Sequence, residues 1–151
     1  MKLERNFYLA EFTDSFIASR LGLSNDVPGR LMGNLRRLAK AMQHVRDFLG
    51  HPVIITSGYR SPAANAAVDG SVNSQHMKAA AADWSCPGFG TPLEVCRAIE
   101  PHLDQFGITQ LIHEYGAWIH TGILPVEPIN RVLTYDRGVP RARPGLHSAR
   151  K

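Results

Sequence analysis

The sequence predicts an α+β domain, because helical periodicity dominates the first fifty residues and short β-branched runs dominate the rest. The clearest helix is expected from Asp26 to Gly50, where apolar side chains recur every three or four residues. This apolar stripe consists of Leu31, Leu35, Leu38, Met42, Val45 and Leu49. Because the order is helices first and then a mostly antiparallel sheet with one inserted helix, we expect the N-terminal helices to pack on a small sheet.

Three shorter helices are predicted from residues that favour helix ends. The helix over Asp14–Leu21 ends before a glycine, and the helix over Pro62–Val68 begins with a proline. A third helix begins after Thr91, because a threonine cap precedes a proline and Glu94 occupies the third helical position. This helix is expected to run to about Leu103.

The strands are predicted from short apolar runs bounded by turn residues. They are Pro52–Thr56, Ala79–Trp84, Ile108–His113, Trp118–Ile123 and Arg131–Tyr135. The third and fourth runs form a hairpin, since Tyr115 and Gly116 supply a turn between them. The alanine-rich run is assigned to a strand because it is too short to form a helix alone.

We assign residues 1–136 to a single domain and residues 137–151 to a flexible, basic C-terminal tail. The formal net charge of the chain is +4. The tail holds five basic residues and no acidic ones: Arg137, Arg141, Arg143, Arg150 and Lys151. Without them the rest of the chain is slightly acidic, so it carries no specific signal for nucleic acid. The tail is either solvated or contacts an anionic polymer of a cell envelope or a nucleic acid.

Cysteine usage and the N-terminus limit the setting in which the protein works. Cys86 and Cys96 are the only cysteines and form no CxxC motif, so we expect reduced thiols, at least one of them buried, rather than a disulfide. The N-terminal residues are polar, and no stretch reaches the roughly 18 apolar residues of a membrane span. We therefore expect a monomer synthesised in the cytoplasm, without a signal peptide or a transmembrane segment.

Two histidines and one aspartate carry the strongest chemical signal. His76 follows a polar loop, Asp83 ends the alanine-rich run, and His120 lies on the second strand of the hairpin. Two imidazoles and a carboxylate, with one coordination position left for water, suit a catalytic zinc site. The alternative interpretation is two core histidines and a capping aspartate.

Three segments that contain these residues give the chain a resemblance to a known family. They are Ser57-Gly58-Tyr59-Arg60-Ser61-Pro62 with Asn65, Ser74-Gln75-His76 with Asp83, and Trp118-Ile119-His120. In this order and at this spacing they resemble the M15 zinc peptidases, over roughly Phe7 to Ile123. That family contains D-alanyl-D-alanine carboxypeptidases, dipeptidases and phage endolysins. The resemblance implies the architecture shared by D-Ala-D-Ala carboxypeptidases and hedgehog-like zinc peptidases.

The resemblance also implies roles for individual residues. It makes His76, Asp83 and His120 the ligands of one Zn²⁺ per chain. It gives Arg60 a catalytic and substrate-binding role, as the cation that holds or polarises a carboxylate or carbonyl of the substrate. Four further residues are assigned to substrate binding or to positioning: Asn65, Ser74, Gln75 and Trp118.

The general base is predicted less directly. Glu114 precedes the last ligand by six residues, and M15 members similar to this chain carry glutamate there. Positions 116 to 118 hold no residue that can transfer a proton, so Glu114 is the first candidate and His113 the second. The alternative is that Glu114 only hydrogen-bonds a ligand. The chain also departs from the family in having Ala79 where glycine is usual, and alanine would be strained if that position needs a positive φ.

The sequence therefore predicts a zinc metallopeptidase that hydrolyses a peptide bond in peptidoglycan stem peptides. Either carboxypeptidase or endopeptidase activity fits. The lack of a signal peptide favours a phage or prophage lysis protein that reaches the cell wall after release, and a cytoplasmic dipeptidase is the next interpretation. The alternative from another class is a weak or inactive zinc-binding module of a virion or cell wall, with the same fold.

Overall fold

The fold is α+β over residues 1–150, the part of the chain that the computed structural model describes. Its helices are α1 (Leu9–Thr13), α2 (Phe16–Arg20), α3 (Met32–Leu49), α4 (Pro62–Ala67), α5 (Pro92–Ile99) and α6 (Leu103–Phe106). Its strands are β1 (Lys2–Glu4), β2 (Phe7–Tyr8), β3 (Ile54–Ser57), β4 (Ala81–Ser85), β5 (Gln110–Glu114), β6 (Trp118–Gly122), β7 (Val132–Tyr135) and β8 (Arg143–Pro144).

The main sheet has the strand order β3-β4-β6-β5-β7-β8. Every neighbouring pair is antiparallel except β5 and β7, which run parallel. The predicted mostly antiparallel sheet is therefore confirmed. The small hairpin β1–β2 at the N-terminus, which the sequence patterns did not predict, forms a separate sheet.

Helix α3 supplies the largest part of the apolar core. It begins at Met32, later than predicted, because a 3-10 turn over Gly29–Leu31 precedes it. Its last residue is Leu49, and Gly50 caps its C-terminal end with a φ of 70°, in the left-handed region. The buried face holds Leu35, Leu38, Ala39, Met42, Val45 and Leu49. Burying a large apolar side chain of this kind contributes about 1.5–3 kcal/mol.

Helix α5 confirms the predicted start and corrects the predicted end. Thr91 Oγ1 accepts the backbone N–H of Glu94, and the Glu94 carboxylate accepts the N–H of Thr91. The regular helix stops at Ile99 rather than near Leu103, because Pro101 cannot donate a backbone hydrogen bond. A 3-10 turn over Glu100–His102 and then helix α6 follow directly, so the helical conformation extends with this irregularity to Phe106.

The two faces of the main sheet have different roles because side chains alternate along each strand. One face contacts the helices and buries Trp84, Leu111, Ile119 and Thr121 completely. The other face lines an open cleft and carries Asp83, Ile112, Glu114, Trp118, His120, Leu133 and Tyr135. The sheet therefore places the predicted metal ligands opposite the core.

The C-terminal segment differs from the predicted flexible tail. Strand β8 pairs antiparallel with β7, and Leu146 packs against the core. Arg143 forms a bidentate ion pair with Asp136, whose side chain is 1% exposed. Residues 143–150 are therefore attached to the domain, and Arg143 is committed to an internal ion pair rather than free for an anionic polymer.

The cysteines and the hydropathy of the helices agree with the sequence analysis. Cys86 and Cys96, both within the described residues, are buried free thiols, and burial raises the pKa of each. Across residues 1–150, the helices are too short or too polar to cross a lipid bilayer.

Candidate metal centre

His76 is held at the base of the cleft by contacts to both its backbone and its ring. The side chain of Ser74 caps the 3-10 turn over Gln75–Lys78 and accepts the N–H of His76 at 3.2 Å. The ring Nδ1 lies 2.6 Å from the carbonyl oxygen of Gly58, so Nδ1–H donates to that carbonyl. This contact fixes the tautomer and leaves Nε2 as the free ligand atom.

Asp83 and His120 meet because they are register partners on neighbouring strands β4 and β6. Oδ1 of Asp83 lies 3.0 Å from Nδ1 of His120 and 3.3 Å from Nε2 of His76. The two imidazole rings stand edge to face, with their centroids 5.1 Å apart. One carboxylate oxygen is thus shared between two imidazole nitrogens.

The surroundings of Asp83 favour its ionised form. Burial by itself raises the pKa of this carboxyl, but the adjacent imidazoles of His120 and His76 outweigh burial and hold the pKa well below its usual range. A carboxylate that stays ionised at neutral pH can compensate the charge of a cation.

The three side chains fit a metal ion by their donor atoms and by their spacing. Each of His76, Asp83 and His120 offers one ligand atom, and these atoms lie within 4.8 Å of one another. Two nitrogens and one oxygen suit Zn²⁺ and also several other divalent ions. The Gly58 carbonyl orients one ligand in the way that is usual for metal-binding histidines. This is a group that could hold a metal ion.

Gly58 is required for the close approach that orients His76. A Cβ added at Gly58 would lie 2.6 Å from the carbonyl oxygen and 2.7 Å from the Cα of Phe12. Phe12 lies in α1, and its carbonyl accepts the N–H of Tyr59 at 2.7 Å. A side chain at position 58 would therefore push α1 away from the segment that holds His76.

Replacing Gly58 by alanine should lower the free energy of unfolding by about 1–3 kcal/mol and weaken metal binding, because the added methyl overpacks against backbone. Urea denaturation and metal titration measure the two effects. Gly33→Ala is the matched control: nothing lies within 4 Å of its Cβ position in α3, so helix propensity should make that variant slightly more stable. Equal stabilities of the two variants would contradict this account.

The segment after His76 contains a strained alanine. Ala79 has φ 54° and ψ 35°, in the left-handed region, and it is completely buried. Its N–H and that of Ala80 donate to the carbonyls of His76 and Gln75, which closes the turn. The position therefore has the positive φ for which the family's glycine is suited, and alanine there costs about 1–2 kcal/mol.

Replacing Ala79 by glycine should change the free energy of unfolding by less than about 1 kcal/mol, because two effects offset each other. Relief of the left-handed strain stabilises the fold, whereas loss of a buried methyl and the greater freedom of glycine in the unfolded chain oppose it. Ala82→Gly is the control, since Ala82 is also completely buried but lies in β4. Urea denaturation should show that the free energy of unfolding of the control falls by about 1.5 kcal/mol or more. An equal fall for both variants would show that Ala79 is not strained.

Glu114 is the last residue of β5, and its side chain points towards the candidate metal centre. Tyr115 and Gly116 both have positive φ, 58° and 67°, and the N–H of Ala117 donates to the Glu114 carbonyl at 2.9 Å. This is the two-residue turn that suits a twisted hairpin. Oε1 of Glu114 lies 3.9 Å from Nδ1 of His120. Burial, and then the negative charge of Asp83, raise the pKa of Glu114 to about 7.

His113, the second candidate base, is excluded by its position. It is 2% exposed and points from β5 towards the opposite face of the sheet. Its Nδ1–H donates to the carbonyl of His147 at 3.0 Å, and burial lowers its pKa. Because successive side chains of a strand point to opposite faces, Glu114 points into the cleft and His113 points to the other face of the sheet.

The cleft in front of these residues has a volume of about 920 Å³ and two chemically different walls. The sheet contributes the apolar and aromatic side chains of Ile112, Trp118, Leu133 and Tyr135, and the hairpin turn adds Tyr115. The loop after α4 contributes the polar side chains of Asp69, Ser71, Asn73 and Ser74. A cleft of this size can bury a short peptide with one apolar and one polar side.

Arg60 is the cation of the cleft. One terminal guanidinium nitrogen of Arg60 donates to Ser74 Oγ at 3.3 Å. Within residues 1–150, the Nε of Arg60 has no hydrogen-bond partner. Burial lowers the pKa of Arg60, while the charges of Asp83 and Glu114 oppose that effect. A partly buried guanidinium with a free N–H can donate a hydrogen bond to a carboxylate or carbonyl oxygen.

The other predicted binding residues divide into two groups. Ser74 and Trp118 line the cleft. Gln75 also reaches it, but its side-chain oxygen accepts the N–H groups of Ile123 and Leu124, at 3.1 and 3.0 Å, so it joins the His76 turn to the end of β6. Asn65 is 3% exposed and its amide donates to the Ser71 carbonyl, which makes it a support of the loop rather than a cleft residue.

Several cleft residues were missed by the sequence analysis. Ile112 shares the Glu114 face of β5, so strand alternation could have identified it. Leu133 and Tyr135 reach the cleft because β7 lies parallel beside β5, in register with Ile112 and Glu114. No local pattern in the sequence encodes that pairing.

A match to a protein-family model establishes the family of this chain. A family model described as Peptidase M15 matches residues 5–122, which contain the group that could hold a metal ion, Arg60 and Glu114. The chain belongs to the M15 peptidase family. No curated protein matches the chain significantly. The M15 match ends at the last residue of β6, so β7, β8 and residues 143–150 lie beyond it.

Proposed function

We propose that this M15 member is a zinc-dependent peptidase that hydrolyses a peptide bond in peptidoglycan stem peptides. The observation that supports this best is the convergence of His76, Asp83 and His120, with their ligand atoms within 4.8 Å, at the base of a cleft of about 920 Å³. Its acidic neighbour is Glu114, 3.9 Å from His120. Residues 1–136, together with the segment 143–150 that pairs with β7, would form the peptidase domain.

The chemistry divides between the ion and the chain. One Zn²⁺ per chain, held by His76, Asp83 and His120, would polarise the scissile carbonyl and lower the pKa of a coordinated water to about 7. Glu114 takes the proton of the attacking water and delivers it to the leaving amine. Its raised pKa of about 7 suits both steps near neutral pH.

Arg60 binds and orients the substrate in this proposal. Its guanidinium lines the same cleft as Glu114 and the ligands, and it is the only arginine or lysine that does so among the described residues. A carboxylate or carbonyl oxygen of the stem peptide accepts its hydrogen bonds, which fixes the scissile bond over the metal site. Trp118 supplies the apolar wall on the other side.

We propose the bacterial cell wall as the setting because the chain resembles the M15 peptidases and because Arg60 lines the cleft, where it could bind a carboxylate of the substrate. A carboxypeptidase would use Arg60 to hold a terminal carboxylate, whereas an endopeptidase would use it on an internal carbonyl. We propose release of the protein to the wall during phage or prophage lysis, or delivery with a virion.

Purified peptidoglycan and synthetic stem peptides test the proposal. We expect release of amino acids or peptides that stops with a chelator and returns when Zn²⁺ is added back. Mass spectrometry of the products identifies the bond and separates carboxypeptidase from endopeptidase. A zinc-loaded protein that releases nothing from any wall substrate would refute the proposal.

A zinc-binding module of a virion or wall without turnover is the second candidate. The strained Ala79, with φ 54°, favours it, because the M15 resemblance implies glycine at this position, three residues after His76. This candidate predicts that the protein cosediments with peptidoglycan and leaves it intact. The same product assay therefore distinguishes the two.

A further inference from the structure

A short C-terminal segment, residues 143–150, is anchored by a buried carboxylate directly after β7. Asp136 accepts two hydrogen bonds from the Arg143 guanidinium, at 2.7 and 2.9 Å, and one from the backbone N–H of Arg150 at 3.2 Å. We call residues 143–150 the C-terminal clasp. One carboxylate thus holds both ends of the clasp.

The middle of the clasp is fixed by contacts with β7. Thr134 Oγ1 donates to the Gly145 carbonyl at 2.9 Å and accepts the N–H of His147 at 3.0 Å. The N–H of Gly145 donates to the Val132 carbonyl at 2.8 Å. Thr134 is completely buried, so these hydrogen bonds are protected from water.

The clasp reaches from β7 to the hairpin that carries Glu114. The carbonyl of His147 accepts Nδ1–H of the buried His113, one residue before Glu114. A Cβ added at Gly116 would lie 3.0 Å from the Cβ of Ala149, so the clasp packs directly on the turn. On the other side, the N–H of Tyr115 donates to the Tyr135 carbonyl at 2.9 Å.

The turn needs such support because its backbone is strained. Tyr115 has φ 58°, a region that a tyrosine adopts at a cost of about 1–2 kcal/mol. The metal ligands do not depend on the clasp in the same way: Asp83 and His120 lie on β4 and β6, and His76 is held by Gly58 and Ser74.

We propose that the C-terminal clasp is a positioning segment that fixes the β5–β6 turn and thereby the carboxylate of Glu114. It acts through Ala149 on Gly116 and through His147 on His113, with Arg143 as its anchor. The inference rests on the proposed function, because it assigns the clasp a part in the peptidase reaction. A displacement of about 1 Å in a catalytic group can lower a rate a hundredfold, so modest loosening of the turn should reduce kcat.

The test compares Arg143→Ala with Arg143→Lys and with the control Arg5→Ala, all in the full chain. Arg5 pairs with the exposed Asp47 and does not contact the clasp. Three quantities are measured: hydrolysis of stem peptides, Zn²⁺ affinity, and amide hydrogen exchange of Tyr115 and Ala117 by NMR. Trp84 in β4 serves as the internal reference for exchange.

We expect Arg143→Ala to lower kcat about tenfold or more, with KM and Zn²⁺ affinity within about threefold of the parent. Exchange at Tyr115 and Ala117 should accelerate at least about tenfold while Trp84 changes little. Arg143→Lys should restore part of both effects, and Arg5→Ala should match the parent. Unchanged kcat or unchanged exchange at Ala117 in a folded Arg143→Ala protein would overturn the inference.

Two outcomes keep the inference and the proposed function separate. If the parent hydrolyses no wall peptide, the proposed function fails first. If the parent is active and the clasp variants hydrolyse the substrate as fast as the parent, only the inference fails. Should Arg143→Ala not fold, Ala149→Gly replaces it, because it removes the clasp methyl that lies against Gly116 of the turn. We expect about a threefold loss of kcat, and an unchanged kcat would overturn the inference.

Discussion

Replacing Glu114 by glutamine should lower kcat by about 10²–10⁴ while the protein still binds one equivalent of Zn²⁺. The amide of glutamine has nearly the same shape as the carboxylate but cannot take a proton from water. Glu114 is not one of the three ligands, and its Oε1 lies 3.9 Å from the nearest nitrogen of His120. Steady-state kinetics on a stem peptide and metal analysis of the same sample measure the two quantities.

This variant also tests whether Glu114 only hydrogen-bonds a ligand. A glutamine keeps a side-chain oxygen that can accept a hydrogen bond, so that role predicts a loss no larger than the 10- to 100-fold typical of such partners. The matched control is Glu100→Gln, because Glu100 is exposed, lies directly after α5 and does not line the cleft. Activity of Glu114→Gln close to that of the control would refute the assignment of Glu114 as the base.

Replacing Asp83 by asparagine should weaken Zn²⁺ binding by more than about a hundredfold, more than the loss of an outer hydrogen-bond partner produces. The substitution removes the negative charge that lies between His76 and His120, at 3.3 and 3.0 Å. Both imidazoles remain, but two neutral nitrogens alone compensate no charge of the cation. Competition titration with a chromogenic chelator measures the affinity, and hydrolysis at limiting zinc should fall in parallel.

Asp104→Asn is the matched control for this substitution. Asp104 pairs with Arg131 on an exposed part of the surface, and its side chain is 92% exposed. Its zinc affinity should equal that of the parent. An Asp83→Asn protein with parental zinc affinity would show that this carboxylate is a structural partner of the two histidines and not a ligand.

The group that could hold a metal ion could be found from the sequence because its chemistry is local and unusual. Two histidines and an aspartate at positions 76, 120 and 83 have few other uses in such an order, and strand alternation correctly places Trp118 on the face of His120. The hairpin that carries Glu114 was also predictable, since Tyr115-Gly116 separates two apolar runs. What could not be predicted was the pairing of β4 with β6, which brings Asp83 opposite His120.

The C-terminal clasp shows why charge patterns are a weak guide to packing. Arg137, Arg141, Arg143 and Arg150 look like a solvated tail because residues 137–151 contain no acid. The partner of Arg143 and Arg150, Asp136, lies one residue before that range and is buried. A carboxylate that is buried needs a partner, and Arg143 supplies it with two hydrogen bonds. Burial of a single aspartate was the missing information.

The metal content of the purified chain and of His76→Ala tests the central claim most directly. His76 is 3% exposed, and its Nε2 is aimed at the carboxylate of Asp83, so it should be an indispensable ligand. We predict one equivalent of Zn²⁺ in the parent and in the control His44→Ala, whose histidine is exposed on α3, and less than about a tenth of an equivalent in His76→Ala. Stoichiometric zinc retained by a folded His76→Ala protein would contradict the metal centre.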